Sequence, residues 1–131
     1  MNQNQLSELA NAWIAYWHSP EGSPTQEKNA WATDLYDLEQ DDPEALWSLI
    51  LLIHSRDQSV PIQQVLSAGP IEDLLTMHGE AFIERVEAEA RKDPSFANLL
   101  GGVWRSSMSD DVWTRLQSVW DRRGWDGIPS E

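Results

Sequence analysis

Apolar residues recurring at helical spacing, cut at short intervals by glycine and proline, confine this chain to short helices, and the pattern is plainest from Ala68 to Trp104. Gly69 and Pro70 are expected to stop one helix and start another, whose Ile71, Leu74 and Leu75 share one side while Glu72 and Asp73 face away. A break at His78 and Gly79 opens a longer helix with Phe82, Ile83 and Val86. A further break at Asp93 and Pro94 opens one with Phe96, Leu99, Leu100 and Val103.

The rest of the chain reads the same way. Leu6, Leu9, Ala10, Trp13 and Trp17 predict a first helix over Asn4 to Trp17. Ser23, Pro24 and Gln26 read as a cap, a first helical position and a capping-box partner for a second helix presenting Trp31, Leu35 and Leu38. Asp42 should cap a third helix whose body, LWSLILLI, is apolar nearly all round and belongs at the centre of the fold. Asp57 to Val60 make a connection to a short helix from Pro61 with Ile62, Val65 and Leu66. Ser109 caps a final helix carrying Trp113, Leu116, Val119 and Trp120, with Arg122 and Arg123 in its last turn and Gly124 ending it. No segment alternates as a strand. The expectation is an all-α protein of seven to eight short antiparallel helices, a single domain over residues 1–131 with residues 125–131 loose.

A shift of 36 positions lays Ala32 on Ala68, Asp37-Leu38 on Asp73-Leu74, Glu44-Ala45 on Glu80-Ala81 and Asp57 on Asp93. Either a true repeat or shared helical periodicity produces such matches. A true repeat would make the chain a short HEAT-like α-solenoid, whose stacked helix pairs expose a groove.

Charge narrows the partners. The 22 acidic against 9 basic residues leave a net charge of -13, a surface that repels nucleic-acid phosphate and anionic lipid. Residues 1–50 hold nine acids and the single base Lys28, so the N-terminal part is the acidic end. Solubility alone explains such a surface, and so does a cationic protein partner. With no cysteine, no signal-like start and no apolar run longer than Leu49 to Ile53, a cytoplasmic protein away from membranes is expected. The eight tryptophans mostly fall on apolar stripes and are expected in the core.

Few residues suggest chemistry. His78 with Glu72, Asp73 and Glu80 could form an acid–base or metal site, yet no HExxH, calcium loop or second histidine at ligand spacing accompanies it. Helix ends explain the same residues: a histidine suits the carbonyl pole and a glutamate the amide pole. Asp34, Asp37, Glu39, Asp41, Asp42 and Glu44 form the densest acidic run, either a solvated face or a docking surface. Gly101-Gly102 before Trp104-Arg105 costs helix stability, which close packing would explain. No cofactor motif and no metal set is expected.

The segments AGPIEDLL, HGEAFIERVEAEARKDPSF, LLGGVW and MSDDVWTRLQ, with WATDLYDLEQDDPEALWSLILLI upstream, resemble an uncharacterised bacterial family of small acidic proteins, the domain of unknown function 6869. The resemblance covers about Trp13 to Arg122. It implies Gly69, Pro70, Glu72, Asp73, His78, Gly79 and Trp104 as the family's marked positions and implies no activity. The expected function is a non-enzymatic, acidic, helical protein-binding module, of the type of an immunity inhibitor of a cationic partner, contacting it through Asp37, Asp41, Glu72, Asp73, His78, Trp104 and Arg105. The alternatives are a small enzyme or metal-dependent protein centred on Glu72, Asp73 and His78, and a module that self-associates through tryptophan faces.

Overall fold

The computed structural model describes residues 1–125. Among them the chain forms eight α-helical segments and no strand: α1 (Gln3–His18), α2 (Pro24–Asn29), α3 (Tyr36–Asp41), α4 (Pro43–Arg56), α5 (Val60–Leu66), α6 (Glu72–Lys92), α7 (Pro94–Leu100) and α8 (Asp110–Gln117). The fold is therefore all-α, as the spacing predicts. The chain divides into two compact units, Met1–Val65 and Leu66–Glu131.

Local capping chemistry sets most helix starts. Asn2 and Gln5 form a capping box on α1, each side chain accepting from the other's backbone amide at 2.9 and 2.8 Å. Ser23, Asp42, Asp93 and Ser109 each accept a backbone N–H from the first turn of the helix that follows. Proline occupies the first position of α2, α4 and α7, where its missing N–H costs nothing.

In the first unit, α1 packs against α2, against a 3-10 turn over Ala30–Thr33, and against α4, while α3 packs on α4. Leu46, Leu49, Ile50 and Ile53 of α4 are fully buried, which agrees with the apolar run expected to lie centrally. The expected second helix is in fact three pieces, α2, the 3-10 turn and α3. Leu35 offers no side-chain cap to α3; Asp34 Oδ1 instead accepts the Tyr36 amide at 3.2 Å, a local turn that starts α3 afresh.

In the second unit, α6 packs against α7 and α8. The expected break at Gly69 and Pro70 does not occur. Residues Ser67–Ile71 form a π-helical turn that leads directly from α5 into α6, with Pro70 inside it. A proline ring in an α-helix clashes with the carbonyl four residues back and donates nothing to it, and the wider i→i+5 turn accommodates both defects. The expected break at His78 is instead a kink within α6, where His78 alone leaves helical geometry at φ -134°, ψ 26°. Under the 36-residue shift this residue falls on Asp42, the non-helical residue at φ -144° between α3 and α4.

The C-terminal part also departs from expectation. Helix α8 stops at Gln117, so Val119, Trp120, Arg122 and Arg123 lie beyond it. The segment after it returns to α7: the Asp121 amide donates to the Ala97 carbonyl at 2.9 Å, and the Trp125 indole N–H donates to the Asn98 carbonyl at 2.7 Å. Trp125 is thus held rather than loose, and residues 126–131 of the expected tail lie outside the described residues. Gly101 and Gly102 accommodate this return. A Cβ on Gly101 would stand 2.2 Å from the Asp121 carbonyl oxygen, and one on Gly102 would stand 2.5 Å from the Ser67 hydroxyl and 2.7 Å from the Trp125 ring.

Candidate functional site

Helix α6 and the loop leading into α8 frame a concavity in the second unit. Glu72 accepts from the Trp104 backbone amide and from Ser106, at a loop whose Ser106 adopts φ 51°. Burial pushes the Glu72 carboxyl above its ordinary range; the Trp104 amide pulls it down, but the neighbouring Asp73 charge adds to the rise. Two helical turns further along, Ser109 donates its hydroxyl to Glu80 Oε1 at 3.1 Å and accepts the Val112 amide at 3.2 Å. Two carboxylates of α6, one on each side of the kink, thereby hold the loop at residues 104–106 and at 109.

Between these ties lies a cleft of about 460 Å³, walled by Thr76, Met77, His78 and Glu80 of the kinked helix and by Ser107 and Val112 opposite. Gly79 lets the walls approach closely, because a Cβ there would come within 2.9 Å of Val112 Cγ2. The Thr76 hydroxyl is shielded from solvent and has no hydrogen-bond partner.

The residues expected to bind a partner separate into two groups. Asp37 and Asp41 lie on α3 of the first unit, exposed and without an ion pair among the described residues. Glu72, Asp73, His78, Trp104 and Arg105 belong to the second, where Glu72 is joined to Trp104 while Arg105 pairs with Asp110. Among the described residues no three histidines or carboxylates are placed to hold a metal ion.

Tryptophan placement differs from the expectation of a largely tryptophan-filled core. Trp13, Trp47 and Trp113 are buried, but Trp31 and Trp104 are 53% and 48% exposed and Trp17 is also exposed. Trp31 sits in the 3-10 turn and Trp104 in the loop. Trp31 and Trp104 escape the stripe because no α-helix forms there, whereas Trp17 lies within the last turn of α1 and is exposed all the same.

Two polar clusters have no local signature. In the first unit His18 Nε2 meets Asp57 Oδ2 at 2.7 Å, and Ser59 donates its hydroxyl to Asp57 Oδ1 at 2.6 Å. Burial raises the Asp57 carboxyl, but the Ser59 hydroxyl and amide and the His18 ring outweigh it and hold it below the usual range. This is not a nucleophilic relay, in which the histidine stands between serine and carboxylate; here both serine and histidine serve the carboxylate. In the second unit Arg115 donates through both Nε, at 3.1 Å, and Nη2 to the buried carboxylate of Glu87. That fork holds the Glu87 carboxyl below its ordinary range. The partners lie 39 and 28 residues apart in the chain, beyond the reach of any short motif.

In a wider comparison, a family of unknown function, DUF6869, matches residues 19–124. The chain belongs to that family. DUF6869 thus spans both units, from the end of α1 to the segment that returns to α7. No curated protein and no solved structure matches the chain. No helix among the described residues is long and apolar enough to cross a membrane.

Proposed function

We propose that this DUF6869 protein is a non-enzymatic binding module whose acidic first unit receives a cationic protein partner, in the manner of an immunity-type inhibitor. One observation carries the reading: Tyr36, 62% exposed, and Trp31 lie in the chain beside Asp37 and Asp41, two exposed carboxylates without ion pairs. Asp37 and Asp41 are four residues apart on α3 and so share a face, a like-charge arrangement that costs an isolated helix about 0.2–0.5 kcal/mol. A basic surface would relieve that repulsion. Exposed aromatic rings supply the rigid contact area and cation–π faces that dominate protein interfaces.

Affinity capture from the native host, at low and moderate salt, tests the proposal. The expected result is a protein partner that wild type retains at low salt, that moderate salt weakens, and that a D37K/D41K variant fails to retain. Trp31→Ala and Tyr36→Ala should each weaken the complex about tenfold. A partner held equally by the charge-reversed variant, or no partner at either salt, would overturn the reading.

A further inference from the structure

We infer that the cleft at the kink of α6 is an anchor pocket for an arginine side chain presented by the partner. The inference rests on the proposed reading of a cationic protein partner but uses the second unit, so the two can fail separately.

The chemistry of the lining selects the occupant. The polar lining of the cleft is Glu80, His78, Thr76, Ser107 and Ser109, with no lysine or arginine. Ser109 is already committed, donating to Glu80 Oε1 and accepting from Val112. Glu80 Oε2 therefore remains as an acceptor with no hydrogen-bond or ion-pair partner among the described residues. The Thr76 hydroxyl is likewise unsatisfied, and an unpaired buried hydroxyl is costly enough to need a reason. Threonine in a helix divides between two χ1 wells about 120° apart, so a change of rotamer turns this shielded hydroxyl towards the cleft without moving the backbone. A carboxylate and hydroxyls call for a ligand rich in donors and poor in acceptors.

Guanidinium fits that description better than ammonium. It presents five N–H donors in a planar fork, able to serve a carboxylate and separate hydroxyls at once, whereas ammonium is a compact point charge. Met77, Ala81 and Val112 provide apolar wall for the methylene stem. Met77 is itself 40% exposed and flexible enough to close over it. The volume, about 460 Å³, falls within the range of small-ligand sites and exceeds one side chain.

The test is a titration of the isotope-labelled full chain with the tripeptide Ac-Gly-Arg-Gly-NH2, followed by amide chemical shifts. Saturable shifts are expected at residues 76–81 and 107–112. Glu80→Gln, which can keep the Ser109 hydrogen bond, should weaken binding at least fivefold, and Thr76→Val about threefold. Thr76→Ser, which retains the hydroxyl, should bind as wild type does. The lysine tripeptide should bind at least threefold more weakly than its arginine counterpart. Absence of saturable shifts, unchanged affinity in Glu80→Gln, or equal binding of lysine would overturn the inference. Agmatine binding more tightly than the arginine peptide would also overturn it, assigning the cleft to a free guanidinium compound. If the tripeptide fails while D37K/D41K still abolishes partner capture, the arginine pocket is wrong and the first-unit reading survives.

Discussion

Replacing Gly101 and, separately, Gly69 with alanine tests whether the return of the C-terminal segment to α7 is correctly placed. Both residues lie in the second unit, so both variants report on the same body. At Gly101 the new methyl would meet the Asp121 carbonyl oxygen at 2.2 Å and Trp125 Cδ1 at 2.8 Å, about an ångström inside ordinary contact. The carbonyl cannot retreat freely, because Asn98 Nδ2 donates to it at 3.2 Å and the Asp121 amide is tied to Ala97. Overpacking costs about 1–3 kcal/mol, and a strained or lost hydrogen bond adds about 1 kcal/mol, so Gly101→Ala should destabilise by roughly 2–4 kcal/mol. At Gly69 nothing stands within 4 Å of the added methyl and the backbone is not left-handed. Lower unfolded-state entropy should make Gly69→Ala neutral or more stable by up to about 1 kcal/mol. A domain of this size shifts its midpoint by about 4–8 °C per kcal/mol, so thermal scans should separate the two variants by at least 10 °C or so. Circular dichroism with tryptophan fluorescence reads the transition. A Gly101→Ala protein melting with wild type would refute the close approach of residue 121, and a Gly69→Ala protein as unstable as Gly101→Ala would refute the continuous turn.

Three other outcomes follow from buried groups. Arg115→Ala strands the buried Glu87 carboxylate and should cost about 2–3 kcal/mol, whereas Glu87→Gln leaves a partly exposed guanidinium to water and should cost nearer 1 kcal/mol; urea unfolding gives both values. Because the folded Glu87 carboxyl lies below its unfolded value of 4.5, the stability from this pair is present above pH 4.5 and fades as pH falls through the folded value; in Arg115→Ala that acid-side loss should shrink. Glu72 has the opposite sign: its folded carboxyl is raised, so stability should rise as pH falls from the folded value towards 4.5. Glu72→Gln should remove that rise and equal or exceed wild type at pH 7, measured by urea midpoints against pH. Ile50→Ala, in the fully buried face of α4, should cost about 3 kcal/mol against under ~0.5 kcal/mol for Glu39→Ala, and equal losses would show α4 to be misplaced.

Features decided within one helical turn were readable from residue types. Ser23, Asp42 and Ser109 cap where they should, because a short oxygen-bearing side chain and an amide three residues on need no other part of the chain. The buried face of α4 follows from composition alone. Pro70 was misleading because its rule assumes an α-helical ladder, which the π turn abandons. The candidate site was only half legible. Glu72, His78 and Trp104 stood out, but Thr76 carried no sequence signal, since an orphaned hydroxyl exists only once its surroundings are built. His18 with Asp57, and Glu87 with Arg115, were invisible for the same reason: each pair is made by packing between distant segments.

Trp125 sits one position past the span that the family match covers. Its indole nonetheless plugs the slot floored by Gly101 and Gly102 and fastens to Asn98. An expression fragment trimmed at residue 124 would therefore unstopper the base of α7, opening a glycine-lined gap to water and freeing the strand of chain behind it to fray.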